Sequence, residues 1–341
     1  MHKSKRIFIV ADIKNKPAKM FVDQIPKLAK GFVRLGNDVR CFSYCDAISR
    51  IALFKSRTLS RLLFKSKVDE LLADQIKNYK PHIIYVNFPR VLDAYTIKCM
   101  RKVAPNAVFI GDDGDPWPKL KRNRIETAKE LDIVKAANDG EFLQAYRDAG
   151  VPNCIFMPCL CDPDTDHRYE VSQEWKKDIL WTGTKHHSDS SETLRKELVE
   201  KLAQYDNCAI YGCCGRPKIG GIDYLYAISG AQIGVNVNAV NSVRLYHSDR
   251  LTHYLAGGTF VLAKRVPDTD ILFKNDVHLK YFDTIDEFFD LANWYLAHDQ
   301  IRKKIADAGM KWVHEQLNCI KIAGYILDLA EKGGYNAPWS T

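Results

Sequence analysis

The sequence predicts an α/β protein made of two doubly wound domains that face each other across a cleft. Three observations carry this expectation. The chain has 341 residues, more than one hydrophobic core usually serves. Strand-like apolar runs alternate with helical patterns throughout, the signature of βαβ units and parallel sheets. A polar stretch, Cys161–Gln173, interrupts that alternation near the middle and divides it in two. Ligands of such sheets bind beyond the carboxyl ends of the strands, so the expected site is the cleft between the domains.

The first series opens with a strand over Arg6–Ile13. Its short apolar run meets Asp12 with no small-residue cleavage site after it, so it reads as a buried strand rather than a secretory leader. A helix over Ala18–Leu35 stops at Gly36 and leads to a strand at Asp38–Tyr44. Val68–Tyr79 is helical, and Pro81 ends it before the strand His82–Phe88. Helix Leu92–Val103, strand Ala107–Gly111 and an acidic loop follow. Helix Leu120–Glu130, strand Ile133–Ala136, helix Gly140–Ala149 and strand Cys154–Pro158 complete a first domain at residues 1–162.

The second series spans residues 174–316. It reads as strand Asp178–Trp181, helix Ser191–Ala203, strand Cys208–Tyr211, helix Tyr224–Ile228 and strand Ile233–Val237. Helix Asp249–Ala256, strands Thr259–Ala263 and His278–Phe282, and helices Ile285–Ala297 and Gln300–Gln316 fill it. The last helix, Ile320–Glu331, comes after that domain is complete, so residues 317–341 are expected to pack back on the first domain.

Apolar residues make up 46% and charged residues 27% of the chain, the balance of a globular protein rather than a disordered or fibrous one. No apolar run reaches the roughly 18 residues of a membrane span. The ten cysteines lie mostly in apolar runs and form no CxxC pair, which reads as reduced thiols in a cytoplasmic protein. The net charge of +8 is unevenly spread: residues 1–67 hold sixteen Lys/Arg against four Asp, a local balance of +12. Its sign suits a lipid surface, a phosphorylated acceptor or a nucleic acid, the last ranking behind the others. Within it, Ile48, Ile51, Phe54, Leu59, Leu62 and Leu63 recur near helical spacing among Arg50, Lys55, Arg57, Arg61 and Lys65. Ile48–Lys65 therefore has two readings, an amphipathic helix on an anionic membrane or one packed on its own domain.

The densest information lies at Asn236–Leu262. A strand ends near Asn238, a polar loop follows, and a short helix opens at Ser248, a residue type suited to the N-cap, before Gly257–Gly258 stops it. Free N–H groups and the dipole at a helix start suit a diphosphate, with Arg250 in the first turn and Arg244 before it. Trp181-Thr-Gly-Thr-Lys185 ends the first strand of the series, where Gly183 permits close backbone approach and Lys185 adds a cation. Tyr211-Gly-Cys-Cys-Gly215 follows the next strand and makes Tyr211 and Gly212 further candidates along the same edge.

From Asp178 to about Gln316 the chain resembles the C-terminal domain of the glycosyltransferase group that includes the CgeB-like spore maturation proteins. The text that carries the likeness is Ser248-Asp-Arg250-Leu-Thr-His-Tyr-Leu-Ala-Gly-Gly-Thr-Phe-Val-Leu, Val266-Pro-Asp268, Leu272-Phe273, Tyr281-Phe-Asp283, Tyr295-Leu-Ala-His-Asp299 and Arg302-Lys-Lys-Ile-Ala-Asp-Ala-Gly309. The resemblance implies two Rossmann-like domains of the GT-B type, with a nucleotide-sugar donor in the second whose base is seated at Tyr211 and Gly212. The paired glutamates of related retaining enzymes are replaced here by Leu245 and His253. His253 is then either a phosphate or ribose contact or a buried structural residue.

Gly111-Asp-Asp-Gly-Asp-Pro116 puts three carboxylates within four positions after a buried strand. Crowded carboxylates repel, which raises the pKa of a partly buried one, and such a group suits general-base work on an acceptor hydroxyl. Asp113 is the first candidate and Asp112 the second. A Mg²⁺ loop is the competing reading, but no metal or cofactor is required by a diphosphate held by cations. The expected function is transfer of a sugar from a nucleotide diphosphate to a glycan or lipid-linked hydroxyl acceptor of a cell-surface polysaccharide, in the cytoplasm or peripheral to the membrane. A sugar-nucleotide epimerase, a DNA-modifying transferase and a non-catalytic binding protein are the alternatives.

Overall fold

The computed structural model describes residues 4–13, 21–52, 57–87, 92–114, 121–184 and 193–340. The described chain divides into two compact units. The first runs from the N-terminus to Met157 and includes Ile320–Asn336; the second takes Pro158–Cys319, with short pieces at 21–24 and 337–340.

In the first unit the elements are β1 (Arg6–Ala11), α1 (Gln24–Arg34), β2 (Asp38–Ser43), α2 (Tyr44–Ile51), α3 (Arg57–Tyr79), β3 (Ile83–Asn87), α4 (Ala94–Val103), β4 (Val108–Asp113), α5 (Arg122–Ala128), β5 (Ile133–Ala136), α6 (Glu141–Asp148) and β6 (Cys154–Phe156). All six strands are parallel, in the order β2-β1-β3-β4-β5-β6. The central strands bury nearly every side chain, as helices on both faces require. Asp93 starts α4 by accepting the N–H of Thr96.

Two expectations change here. Asp112 and Asp113 are the last residues of β4 rather than part of a loop, registered against Asn87, Lys135 and Ala136. The ladder reaches further than propensity suggests because β5 supplies partners for both. Ile48–Lys65 is not one helix, since α2 ends at Ile51 and Ala52 is extended. Tyr44 and Ile48 are buried, and Lys65 turns inward to Asp69 (2.6 Å) and Thr96 (2.7 Å). Leu59 and Leu63 remain exposed; Phe54 and Lys55 lie outside the described residues, as do the side chains of Arg57 and Leu62.

The second unit contains β7 (Lys177–Thr182), α7 (Thr193–Leu202), β8 (Cys208–Tyr211), α8 (Ile222–Gly230), β9 (Ala231–Asn236), α9 (Asp249–Ala256), β10 (Phe260–Lys264), β11 (Lys280–Phe282), α10 (Ile285–Ala297) and α11 (Asp299–Gln316). Its parallel sheet has the order β11-β10-β9-β7-β8. Alternate residues of its strands, among them Ile179, Trp181, Ile233, Val235, Phe260 and Leu262, bury against Leu198, Phe288 and Ile305 of α7, α10 and α11. On the opposite face Tyr254 of α9 lies so close to β9 that a Cβ at Gly234 would sit 2.6 Å from its ring. After the second unit, α12 (Cys319–Lys332) joins the first, where Glu331 pairs with Lys5 at 2.9 Å.

No described helix is long and apolar enough to cross a membrane. All ten cysteines are free; Cys161, Cys208 and Cys319 are buried, whereas Cys41 is exposed.

Candidate functional site

In the second sheet the strand order reverses between β7 and β9: the chain leaves β7 toward β8 on one side and β9 toward β10 on the other. The carboxyl ends of strands flanking such a switch point are where open α/β sheets bind ligands. Two arginines meet there. Arg250, in the first turn of α9, donates from Nη1 to the Thr182 carbonyl (2.5 Å) and from Nη2 to the Val237 carbonyl (2.7 Å). Its Nε and Nη2 also reach Asn236 Oδ1, each at 3.3 Å. Arg195, on α7, donates from Nη1 to the same Val237 carbonyl and from Nη2 to Thr184 O at 2.7 Å. Their guanidinium carbons lie 4.9 Å (Arg195) and 5.4 Å (Arg250) from the centre of the Trp181 ring.

Every partner of these two cations is a neutral carbonyl or amide, and among the described residues no carboxylate pairs with either. Arg195 is only 4% exposed. Burial, and then the charge of Arg250, pull its pKa down to about 9. Like charges brought together in a low dielectric repel, so an anion placed between them relieves a cost the protein otherwise carries. Diphosphate chemistry fits such a fork.

Gly183 makes the pair possible. Its φ of +129° is reserved for glycine, and a Cβ there would stand 2.8 Å from Arg250 Nη1 and 3.3 Å from Arg195 Nη2. The Gly183 N–H donates to Tyr211 O at 2.9 Å, and a Cβ at Gly212, with φ +89°, would stand a tight 3.1 Å from Gly183 O. Gly183, Tyr211, Gly212 and Arg250 thus come together as the sequence analysis placed them.

The remaining candidates distribute differently. Ser248 stands at the N-cap position of α9, but its hydroxyl lies against Asn236 Oδ1 (3.2 Å) and makes no capping bond. Asn236 offers a stronger local acceptor site, and Ser248 N–H is taken by Asn238 Oδ1 at 3.2 Å. Asp249 also puts a carboxylate in that first turn, which opposes an anion at the helix end itself and leaves the arginines as its main attraction. Arg244 is drawn to Asp268 at 2.6 Å. His253 is buried, its Nδ1 3.3 Å from the Tyr224 hydroxyl, and Leu245 is buried with φ +59°. Lys185 lies outside the described residues.

Sequence reading passed over Arg195 and gave no role to Asn236 and Trp181, which it met only as the first residues of their motifs. Arg195 sits in an ordinary amphipathic pattern eleven positions after Thr184, whose carbonyl it binds; no local signal separates it from a solvated helix face.

In the first unit Asp113 is buried and both its oxygens are occupied. Arg124 contacts Oδ1 through Nη2 and Oδ2 through Nε (2.9 Å), and the Tyr146 hydroxyl donates to Oδ2 at 2.7 Å. Asp112 has Lys135 Nζ 2.9 Å from Oδ1. Among the described residues no group of three or more His, Cys, Asp or Glu is placed to hold a metal ion. An open groove of about 820 Å³ in the second unit lies at the opposite, amino-terminal ends of β7, β9 and β10. In it Arg168 pairs with Asp307 (2.7 Å) and the Gln232 amide donates to Asp178 (2.6 Å).

Comparison with known proteins bears on the fold. Residues 192–328 match the family model described as Glycosyl transferase-like. No curated protein matches the chain. HepE of Anabaena, solved in complex with UDP and glucose, is 10% identical over 96% of this chain and 100% of its own, with a TM-score of 0.64. Sucrose-phosphate synthase from Thermosynechococcus elongatus is 12% identical over 96% and 99%, with a TM-score of 0.64. A putative UDP-N-acetylglucosamine 2-epimerase from Listeria monocytogenes is 10% identical over 97% of both chains, with a TM-score of 0.56. The fold is that of the GT-B glycosyltransferases, and the glycosyl transferase-like segment covers most of the second unit and the start of α12.

Proposed function

We propose that the protein is a glycosyltransferase that moves a sugar from a nucleotide diphosphate to a hydroxyl acceptor. The observation that carries this reading is the Arg195–Arg250 pair, two guanidinium groups held only by neutral acceptors at the switch point of the second sheet. When the anomeric bond breaks, negative charge grows on the leaving diphosphate. Two fixed cations strengthen their hold as that charge develops, which stabilises the transition state more than the ground state. Gly183 gives the phosphates access to the backbone, and Tyr211 and Gly212 border the place for the base.

On the acceptor side we assign the proton-accepting role to Asp112 ahead of Asp113. One cation touches Asp112, whereas both oxygens of Asp113 are committed to Arg124 and Tyr146. Asp113 then positions Arg124 and the end of β4. The motif order over residues 178–316 supports membership of the CgeB-like subgroup, and a cell-surface polysaccharide or glycolipid is the acceptor class we assign. Exposed Leu59 and Leu63 beside Arg61 on α3 support docking to an anionic membrane from the cytoplasmic side.

The test is a thermal-shift series with UDP, GDP, CDP, ADP, TDP and their sugar conjugates. UDP comes first because HepE was solved with it. A nucleotide that binds the folded state raises the melting temperature, and the reading requires that the rise vanish in Arg250→Ala. No response to any nucleotide sinks it. Product analysis then separates transfer from the epimer that a sugar-nucleotide epimerase on this scaffold releases.

A further inference from the structure

At the carboxyl end of the first sheet one side chain has no satisfied polar atom. Asn138 lies two residues beyond β5 and is wholly buried, and neither its amide nitrogen nor its amide oxygen meets a partner among the described residues. An amide taken from water without replacement bonds is unfavourable, and folded chains seldom keep one.

The charges beside it do not explain the exception, because they are balanced. The Ala137 N–H points to the Asp113 carbonyl at 3.4 Å, and the Asp113 carboxylate is matched by Arg124 and Tyr146. Asp112, the residue before, is matched by Lys135. Asp112 Oδ1 and the Tyr85 hydroxyl on the neighbouring strands also lack a hydrogen bond among the described residues, and Asn138 adds to them a planar group with donors on Nδ2 and an acceptor at Oδ1 side by side. An anion is repelled by Oδ1 and a cation by Nδ2. Two adjacent hydroxyls satisfy both atoms, one donating to Oδ1 and its neighbour accepting from Nδ2.

We infer that Asn138 is the residue through which the first unit recognises a neutral vicinal diol of a sugar ring. The inference rests on the transferase reading, in which that sugar belongs to the acceptor. Its hydroxyl pair supplies the two hydrogen bonds the amide lacks, and Asn138 orients the ring without taking part in bond making.

The experiment follows the Asn138 side-chain amide in ¹⁵N–¹H spectra, assigned by its loss in Asn138→Leu. Methyl α-D-glucopyranoside, methyl α-D-mannopyranoside and methyl β-D-galactopyranoside are the probes. At least one is expected to move that resonance saturably and to leave the Asn138→Leu protein unaffected. Removing an unpaired amide is also expected to raise the melting temperature of the free protein, by about 2–4 °C for each kcal/mol recovered. A lower melting temperature in Asn138→Leu means the amide is already paired, for instance by an internal water, and overturns the inference. So does an unmoved resonance in a wild-type protein that still responds to UDP. If UDP too is without effect, the transferase reading has failed and takes this inference with it.

Discussion

Arg195 and Arg250 donate to the same oxygen, the carbonyl of Val237, and both lie over the ring of Trp181. A single carbonyl cannot neutralise two cations, which is why we propose the pair as the diphosphate site. Charge-assisted hydrogen bonds contribute about 1.5–3 kcal/mol each. Arg250→Ala and Arg195→Ala are therefore each expected to raise the Kd for the diphosphate about 10- to 100-fold in titration calorimetry. Equal affinity in wild type and both variants removes the site.

The same pair sets a pH dependence. The free protein lowers the Arg195 pKa to about 9, through burial and then Arg250; a bound diphosphate raises it again. Binding at pH 9 must then take up protons, whereas at pH 7 Arg195 is already charged in both states. Affinity is full below the free-protein pKa and declines as pH rises through about 9. Calorimetry at pH 9 in buffers of different ionisation enthalpy reads the uptake directly, and a buffer-independent enthalpy contradicts it.

Gly183→Ala tests the geometry rather than the charge. The added methyl meets Arg250 Nη1 at 2.8 Å and forces a positive φ on an alanine. A folding cost of about 1–3 kcal/mol is expected, together with loss of nucleotide response at temperatures where the variant is folded. A folded variant with wild-type affinity shows that the arginines do not need that approach.

Asp113→Ala separates a structural carboxylate from a catalytic one. It takes from buried Arg124 the carboxylate that matches its charge, at about 3–5 kcal/mol, which urea denaturation of the variant will report. Asp112→Asn is expected to retain most of the stability while lowering kcat. Wild-type stability in Asp113→Ala refutes the anchoring role.

His247 contributes an acid limb. It is wholly buried, with Nε2 accepting the Cys159 N–H at 3.3 Å, and burial lowers its pKa to about 4 against the opposing Leu245 carbonyl. The unfolded chain gains a proton below its ordinary value of 6.5, while the folded chain stays neutral to about 4. Stability is therefore full above 6.5 and falls by about 3 kcal/mol on the way to pH 4. Denaturant titrations across that window should lose this slope in His247→Phe.

The amino-acid pattern alone was enough for both sheets, for α9 at Asp249–Ala256, and for the junction of Gly183, Tyr211, Gly212 and Arg250. Parallel strands buried on both faces are continuous apolar runs, and glycines at strand ends mark turns that other residues cannot make. These are local properties, and a chain displays them in order.

The tertiary structure alone decided the rest. Arg195 is far from Arg250 in the chain and joins it only because β7 and β9 are neighbours. Ser248 was legible as a cap, yet Asn236, twelve positions earlier, takes its hydroxyl. Asp113 read as a free base until Arg124 and Tyr146 closed on it, and Lys65 read as a surface cation until α4 brought Thr96 to it. A charged or hydroxylated side chain takes its role from whichever partner the packed chain brings within about 3 Å, and sequence order does not record that distance.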